Sequence, residues 1–182
     1  MTAATKSIKT KNPPLKRIIR DIPDFPKKGI LFKDITPVLK DPAAFRFAVD
    51  TIAEQLKDKK IDYIVGIESR GFIFSPVLAY KLKAGFVPVR KTGKLPYKTH
   101  QISYALEYGE AILEIHQDAI PANARVAIVD DLLATGGTAF AAAKLVEKSG
   151  AKVELIAFMI ELLFLKGREK LRPYNIFSVV QY

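Results

Sequence analysis

The chain contains no cysteine, which excludes disulfides and thiolate chemistry and fits a reducing compartment such as the cytoplasm. No apolar run is long enough to span a bilayer as a helix. Residues 1–14 carry Lys6, Lys9 and Lys11 without the apolar stretch of a signal peptide, and are expected to form a frayed basic tail. The two histidines, His100 and His116, have no partner at metal-ligand or triad spacing, so both are expected to be structural or exposed. Gly93-Lys94 lacks the upstream glycine and the following hydroxyl of a P-loop, and no G-x-G-x-x-G follows a strand, which argues against a dinucleotide site. Repeats, low-complexity tracts and an interdomain linker are missing as well.

What is present is a chain of 182 residues, 49% hydrophobic, enough for a single domain with a sizeable core over residues 15–182. The net charge of +10 admits nucleic acid, an acidic surface or a highly anionic small substrate as partner. The basic residues are spread along the chain, and aromatics do not alternate with them as on a base-stacking platform. A polyphosphate substrate is therefore favoured, and neither a nucleic acid nor a membrane partner is expected.

The informative stretch is Val126 to Thr138. Val126-Ala127-Ile128-Val129 has no polar alternation and is expected to be a strand buried on both faces, as in a parallel sheet. Asp130 and Asp131 then mark its carboxyl end, and the small turn Ala134-Thr135-Gly136-Gly137-Thr138 opens into a helix from Ala139 to Lys148, closed by Gly150. Glycines let backbone approach a ligand closely, and the first amides of a helix lack internal partners, so this turn makes a phosphate pocket. The acid pair cannot face that phosphate; it suits a polyol or a nearby metal ion. A ligand with a phosphate at one end and a vicinal diol in the middle is a ribose 5-phosphate.

Elsewhere, Leu15–Arg20 is expected to be a short helix, Asp21–Gly29 to break regular structure and Ile30–Asp34 to be extended. Asp41-Pro42 is a helix start, followed by the stripe Phe45, Ala48, Val49, Ile52, Ala53 and Leu56. A strand over 61–67 ends in Glu68-Ser69-Arg70-Gly71 before a helix over 72–83; a strand over 86–90 leaves through the loop 91–96. Residues 102–108 and 111–115 form a β-hairpin, and 153–161 and 176–181 are the last strands, bridged by the basic segment Lys166–Arg172. Strands alternating with helices predict an α/β fold, a mostly parallel twisted sheet flanked by helices, with ligands outside the carboxyl ends of the strands. The loops after Ile67, Arg90 and Val129 should converge there.

The segment from Asp130 to Thr138 resembles the phosphoribosyl pyrophosphate signature of the type I phosphoribosyltransferases. Further motifs resemble their adenine-using branch: Phe25-Pro26 with Gly29–Asp34, Ser69–Phe72, Arg90–Pro96, Ser103–Gly109, Leu165–Lys170 and Ser178–Tyr182. The resemblance covers nearly everything from residue 17 onward. It implies the reaction of adenine with phosphoribosyl pyrophosphate to AMP and pyrophosphate, with Mg2+ held through substrate and water rather than by direct protein ligands, in a cytoplasmic homodimer. It implies that Ala134, Thr135, Gly136, Gly137 and Thr138 hold the 5-phosphate and that Asp130 and Asp131 hold the ribose hydroxyls. Ser69 and Arg70 would grip pyrophosphate, helped by Arg90, Lys91 and Lys94. Leu31, Phe32 and Lys33 would form the adenine site in a small N-terminal hood, about residues 15–40. Glu107 would be the catalytic acid near the base's imidazole nitrogens, in a flexible loop of about residues 92–109. The family also implies a non-proline cis peptide at Glu68–Ser69.

The chemistry agrees with these residues. Displacing pyrophosphate builds positive charge on the ribose ring and negative charge on the leaving group, so carboxylates beneath the ring and cations around the leaving group oppose that charge where it develops. Lys33 stands where the family more often has arginine, and 97–102 follows no family pattern. Two alternatives share the fold: an enzyme for another purine base, and a non-catalytic regulator that binds nucleic acid.

Overall fold

The computed structural model describes residues 14–105 and 110–182. The chain divides into two compact units, with the boundary at Ala48/Val49.

In the smaller unit, α1 (Leu15–Ile18) leads into β1 (Arg20–Pro23), which pairs antiparallel with β2 (Leu31–Asp34). The sequence reading broke regular structure from Asp21. The ribbon forms because its charges meet across the strands: Lys33 Nζ lies 2.5 Å from Asp21 Oδ1, and Arg20 lies 3.6 Å from Asp34. Pro23 occupies the last strand position, where its missing N–H costs least. Helix α2 (Thr36–Lys40) was also unforeseen. Its start is set by Asp34, whose carboxylate accepts the Thr36 amide at 2.9 Å and the Thr36 hydroxyl at 2.8 Å. Helix α3 (Pro42–Leu56) begins as expected, with Asp41 Oδ1 accepting the amides of Ala43 (2.9 Å) and Ala44 (3.1 Å). Ala48, Val49, Ile52, Ala53 and Leu56 of its apolar stripe are buried.

The larger unit follows with β3 (Tyr63–Ile67), α4 (Gly71–Leu82), β4 (Gly85–Lys91), β5 (Thr99–Ala105) and β6 (Glu110–His116). It continues with β7 (Arg125–Leu133), α5 (Gly137–Lys148), β8 (Lys152–Glu161), a 3-10 turn at Leu163–Leu165, α6 (Gly167–Lys170) and β9 (Ile176–Gln181). The strands form one seven-stranded sheet in the order β5-β6-β4-β3-β7-β8-β9. Neighbours from β4 to β9 are parallel, and only the β5–β6 hairpin joins antiparallel, at one edge. β5 starts at Thr99, earlier than the alternation at Ile102 suggested. The polar residues that hid it are satisfied across the hairpin, because Thr99 and Gln101 both donate to the buried Glu114 of β6.

The central strands are covered on both faces, as their unbroken apolar runs demand. Val65, Ile67, Val126 and Ile128 join one core with Ala139, Ala142 and Leu145 of α5. Gly66 points to the other face, where α4 approaches so closely that an added Cβ would lie 2.6 Å from Ser75 Oγ. Ser75 is fully buried and donates to the Gly71 carbonyl at 2.6 Å, so it cannot swing aside freely. Gly66→Ala should therefore overpack the α4–β3 contact and cost about 1–3 kcal/mol of stability. Urea unfolding measures this directly, and an unchanged midpoint would show that the helix yields.

Candidate active site

The carboxyl end of β7 is where the sheet opens. β3 pairs with β7 only as far as Gly66 opposite Val129, whereas β8 stays paired through Leu133 opposite Glu161. β7 thus continues past both acids to Leu133, two residues beyond the carboxyl end expected at the acid pair. Asp130 is the first residue beyond its β3 partner, so it faces a crevice on that side while still held on the other. A cavity of about 390 Å³ occupies this crevice, lined by Glu68–Arg70, Lys91, Tyr104, Asp130–Ala139 and Phe158.

Within it, Asp130 Oδ1 accepts the Asp131 amide at 2.8 Å, and the Arg70 Nε lies 2.8 Å from Asp131 Oδ2. The guanidinium forms an ion pair there but is not aimed along a hydrogen bond, so Asp131 Oδ2 is buried without a hydrogen-bond donor. Gly71 after Arg70 is required by contact: a Cβ there would lie 2.8 Å from the Val129 carbonyl and 3.0 Å from Asp130 Oδ1. Burial is the first cause that pushes both acids above the ordinary aspartate range. Asp131's charge raises Asp130 further, while Arg70 pulls Asp131 part of the way back.

The turn after β7 reverses direction at Gly136, whose φ of +81° favours glycine, and α5 starts at Gly137 with no side-chain cap. Its first amides therefore lack helical partners and face the cavity end, with no acid in the first turn to repel an anion. The turn is braced from behind. A Cβ on Gly136 would lie 2.6 Å from the Gly167 carbonyl, and one on Gly167 would lie 2.2 Å from the Ala134 carbonyl. Two glycines far apart in sequence are thus fitted to one backbone contact. Arg168 beside Gly167 is fixed by Glu161, with Nε at 2.6 Å and Nη2 at 2.7 Å from its two oxygens.

On the opposite wall Glu68 gathers cations. Lys94 Nζ lies 2.6 Å from Oε1, and Arg90 donates through Nε at 3.2 Å and Nη2 at 3.3 Å. Burial alone would raise this carboxyl, but Lys94 and Arg90 outweigh it and hold it at about 2. The Glu68–Ser69 peptide is cis, as is Phe25–Pro26.

The Phosphoribosyl transferase domain model matches residues 38–181. The adenine phosphoribosyltransferase of Roseiflexus sp. (strain RS-1) is 57% identical over 165 residues, covering 91% of this chain and 96% of that one. The chain belongs to the adenine phosphoribosyltransferase family. The crystal structure of the Thermoanaerobacter pseudethanolicus adenine phosphoribosyltransferase agrees with a TM-score of 0.90 at 56% identity, covering 92% of this chain and 98% of that one. The Saccharomyces cerevisiae adenine phosphoribosyltransferase, solved with adenine and an imino-altritol bisphosphate, gives 0.87 at 47% identity, covering 91% and 96%. The activity is that of an adenine phosphoribosyltransferase: transfer of the 5-phosphoribosyl group from phosphoribosyl pyrophosphate to adenine, giving AMP.

The cavity of this phosphoribosyltransferase brings together Ser69, Arg70, Lys91, Asp130, Asp131 and Ala134–Thr138, which the sequence reading had grouped. Arg90 and Lys94, grouped with them, are not on its lining but are engaged by Glu68. In the hood, Leu31 is exposed and Phe32 meets Phe25 edge-on at 5.1 Å. Lys33 is buried with its ammonium on Asp21, so the backbone is what this position can offer a ligand. Glu107 lies outside the described residues. Glu68, Tyr104 and Phe158 also line the cavity without having been assigned roles. Phe158 had no signal, since a phenylalanine in an apolar strand looks like core. Tyr104 lay within a recognised motif, and its hydroxyl accepts from Thr138 Oγ1 at 3.4 Å.

A carboxyl raised by folding binds its proton more tightly in the native state than in the unfolded chain. Stability therefore grows as pH falls through the raised value, and the ionised pair weighs against folding at neutral pH. Asp130→Asn keeps the oxygen that accepts the Asp131 amide and removes the charge. It should raise the thermal midpoint near neutral pH, with the gain shrinking as pH falls toward the ordinary aspartate range. A lowered midpoint at neutral pH would mean that the charge pair stabilises the fold.

Proposed function

We propose that the chain performs the transfer with Asp130 and Asp131 beneath the ribose ring, the Ala134–Thr138 turn on the 5-phosphate, and Ser69, Arg70 and Lys91 around the leaving group. The observation that carries this reading is one cavity where the acid pair, Asp131 buried and Asp130 half-buried, an uncapped helix N-terminus and a guanidinium face the same space. Those three charges suit the three parts of the substrate. The helix end suits a phosphate, the acids suit hydroxyls and a ring turning cationic, and Arg70 suits a leaving anion. The Trypanosoma brucei enzyme, 26% identical, has been solved with AMP, pyrophosphate and ribose-5-phosphate, which supports the same division.

Mg2+ fits this site. The ion would be held through substrate oxygens and water beside Asp130 and Asp131. The buried Asp131 Oδ2, without a hydrogen-bond donor, is an acceptor that ion-bound water or a ribose hydroxyl would satisfy. When bound, the ion supplies neutralisation of pyrophosphate charge. The residues bind and orient: Leu31, Phe32 and the backbone of Lys33 take adenine, and Glu107 handles the proton at the base.

A cytoplasmic homodimer completes the reading. Helix α4 is apolar around most of its circumference, and its Val77 and Tyr80, with Phe86 of β4, leave 39%, 89% and 37% of their surface exposed. A helix without a polar face calls for cover on its outer side, and a second copy supplies it.

The primary test is AMP formation from adenine and phosphoribosyl pyrophosphate, with hypoxanthine and guanine as controls; use of those bases at equal rates would remove the adenine assignment. Asp131→Asn should lose roughly 10²–10³-fold in turnover while still binding phosphoribosyl pyrophosphate, because the ground-state ring is not yet cationic. Binding lost as steeply as turnover would make the pair a ground-state clamp instead.

Phe32→Ala should weaken adenine by roughly 1–3 kcal/mol, the worth of base stacking, and leave the phosphoribosyl pyrophosphate Michaelis constant near wild type. Equal rises in both constants would take base recognition away from the hood.

A further inference from the structure

Glu68 presents a problem of sign. It lines the cavity proposed to hold a polyanionic leaving group, its side chain is only 11% exposed, and it is ionised at neutral pH. A fixed negative charge there repels pyrophosphate. Its partners are the residues grouped by resemblance around pyrophosphate: Lys94 Nζ at 2.6 Å, Arg90 at 3.2 and 3.3 Å, and the Lys91 amide at 3.3 Å.

These partners are held in different ways. Arg90 spends its third nitrogen, Nη1, on the Lys94 carbonyl at 3.0 Å, so its guanidinium is built into the loop as a brace. The backbone around Lys94 is fixed as well, because Glu114, 2% exposed, accepts the amides of Lys94 and Leu95 at 3.0 Å each. The Lys94 side chain is different. It is 47% exposed, and its ammonium is held by one carboxylate at the end of a flexible stem. Within a pinned turn, that ammonium is the cation able to move.

We propose that Glu68 is an internal stand-in for pyrophosphate, parking the Lys94 ammonium when the leaving group is absent and exchanging it for pyrophosphate when the group binds. The proposal rests on the reading of the cavity given above. Glu68 is then a positioning residue that acts through Lys94. It keeps the cation near the site, lowers the affinity for pyrophosphate, and takes the ammonium back as the product leaves. A brace and a stand-in make opposite predictions. Removing a brace loosens the site and weakens pyrophosphate, whereas removing a competitor tightens it.

Calorimetric binding of magnesium pyrophosphate, and pyrophosphate inhibition of AMP synthesis against phosphoribosyl pyrophosphate, separate the two in wild type, Glu68→Gln, Lys94→Met and the double variant. Glu68→Gln should bind pyrophosphate roughly tenfold more tightly, about 1.4 kcal/mol, with the adenine Michaelis constant unmoved. In the Lys94→Met background the same change should tighten binding by less, because only the carboxylate's direct repulsion is then relieved. Glu68→Asp, whose carboxylate is drawn back by one methylene, should give a smaller tightening and serves if Glu68→Gln does not fold. Equal or weaker binding in the folded Glu68 variants overturns the proposal, and so does tightening that is undiminished without Lys94. Wild-type protein that binds no pyrophosphate would instead overturn the underlying reading of the cavity, and this proposal with it.

Discussion

Two carboxylates on consecutive residues of a buried strand repel each other and lose hydration, and the site is arranged around that constraint. Ordinary strand pairing would close over Asp130. Here β3 stops at its partner Val129, and the crevice remains open. One guanidinium, Arg70, comes close enough to offset part of the charge on Asp131. It can do so because Gly71 lets the start of α4 press against the Val129 carbonyl and Asp130. The pair is left with one buried oxygen, Asp131 Oδ2, that has no hydrogen-bond donor in the protein. The fold tolerates a locally unfavourable charge pair because the surrounding apolar core is large.

The cations show the complementary arrangement. With a net charge of +10 the chain could have crowded lysines and arginines into the site without restraint. Glu68 and Glu114 instead sit on either side of the turn after β4 and fix its backbone and two of its charges. Basic residues near the cavity are thereby given definite positions, and charge is presented by geometry rather than by composition.

Much of this was legible from the residues. The unbroken apolar runs of β3 and β7 pointed to a parallel sheet, and the acid pair followed by Thr-Gly-Gly-Thr marked residues that line the cavity. What stayed hidden depended on contacts distant in sequence. β1 requires Asp21 to meet Lys33 on the opposite strand, and the early start of β5 requires Thr99 and Gln101 to find Glu114. The reach of β7 through both acids was set by the length of its neighbour β8, a property of pairing that β7's own residues do not carry. Phe158 looks like core from sequence because it is core; it also happens to stand where the cavity reaches the sheet.

The contact between Gly136 and Gly167 also has a timing. A chain emerging from a ribosome presents Asp130 and the Ala134–Thr138 turn well before the segment that backs them. Gly167 must arrive first, and then β9, which pairs beside β8 and brings Gln181 within 3.1 Å of Glu161, the anchor of Arg168. At ~5–20 residues per second, that leaves the turn unsupported for seconds. A nascent chain therefore carries the acid pair and the glycine turn for an interval before the segment that backs them has been made.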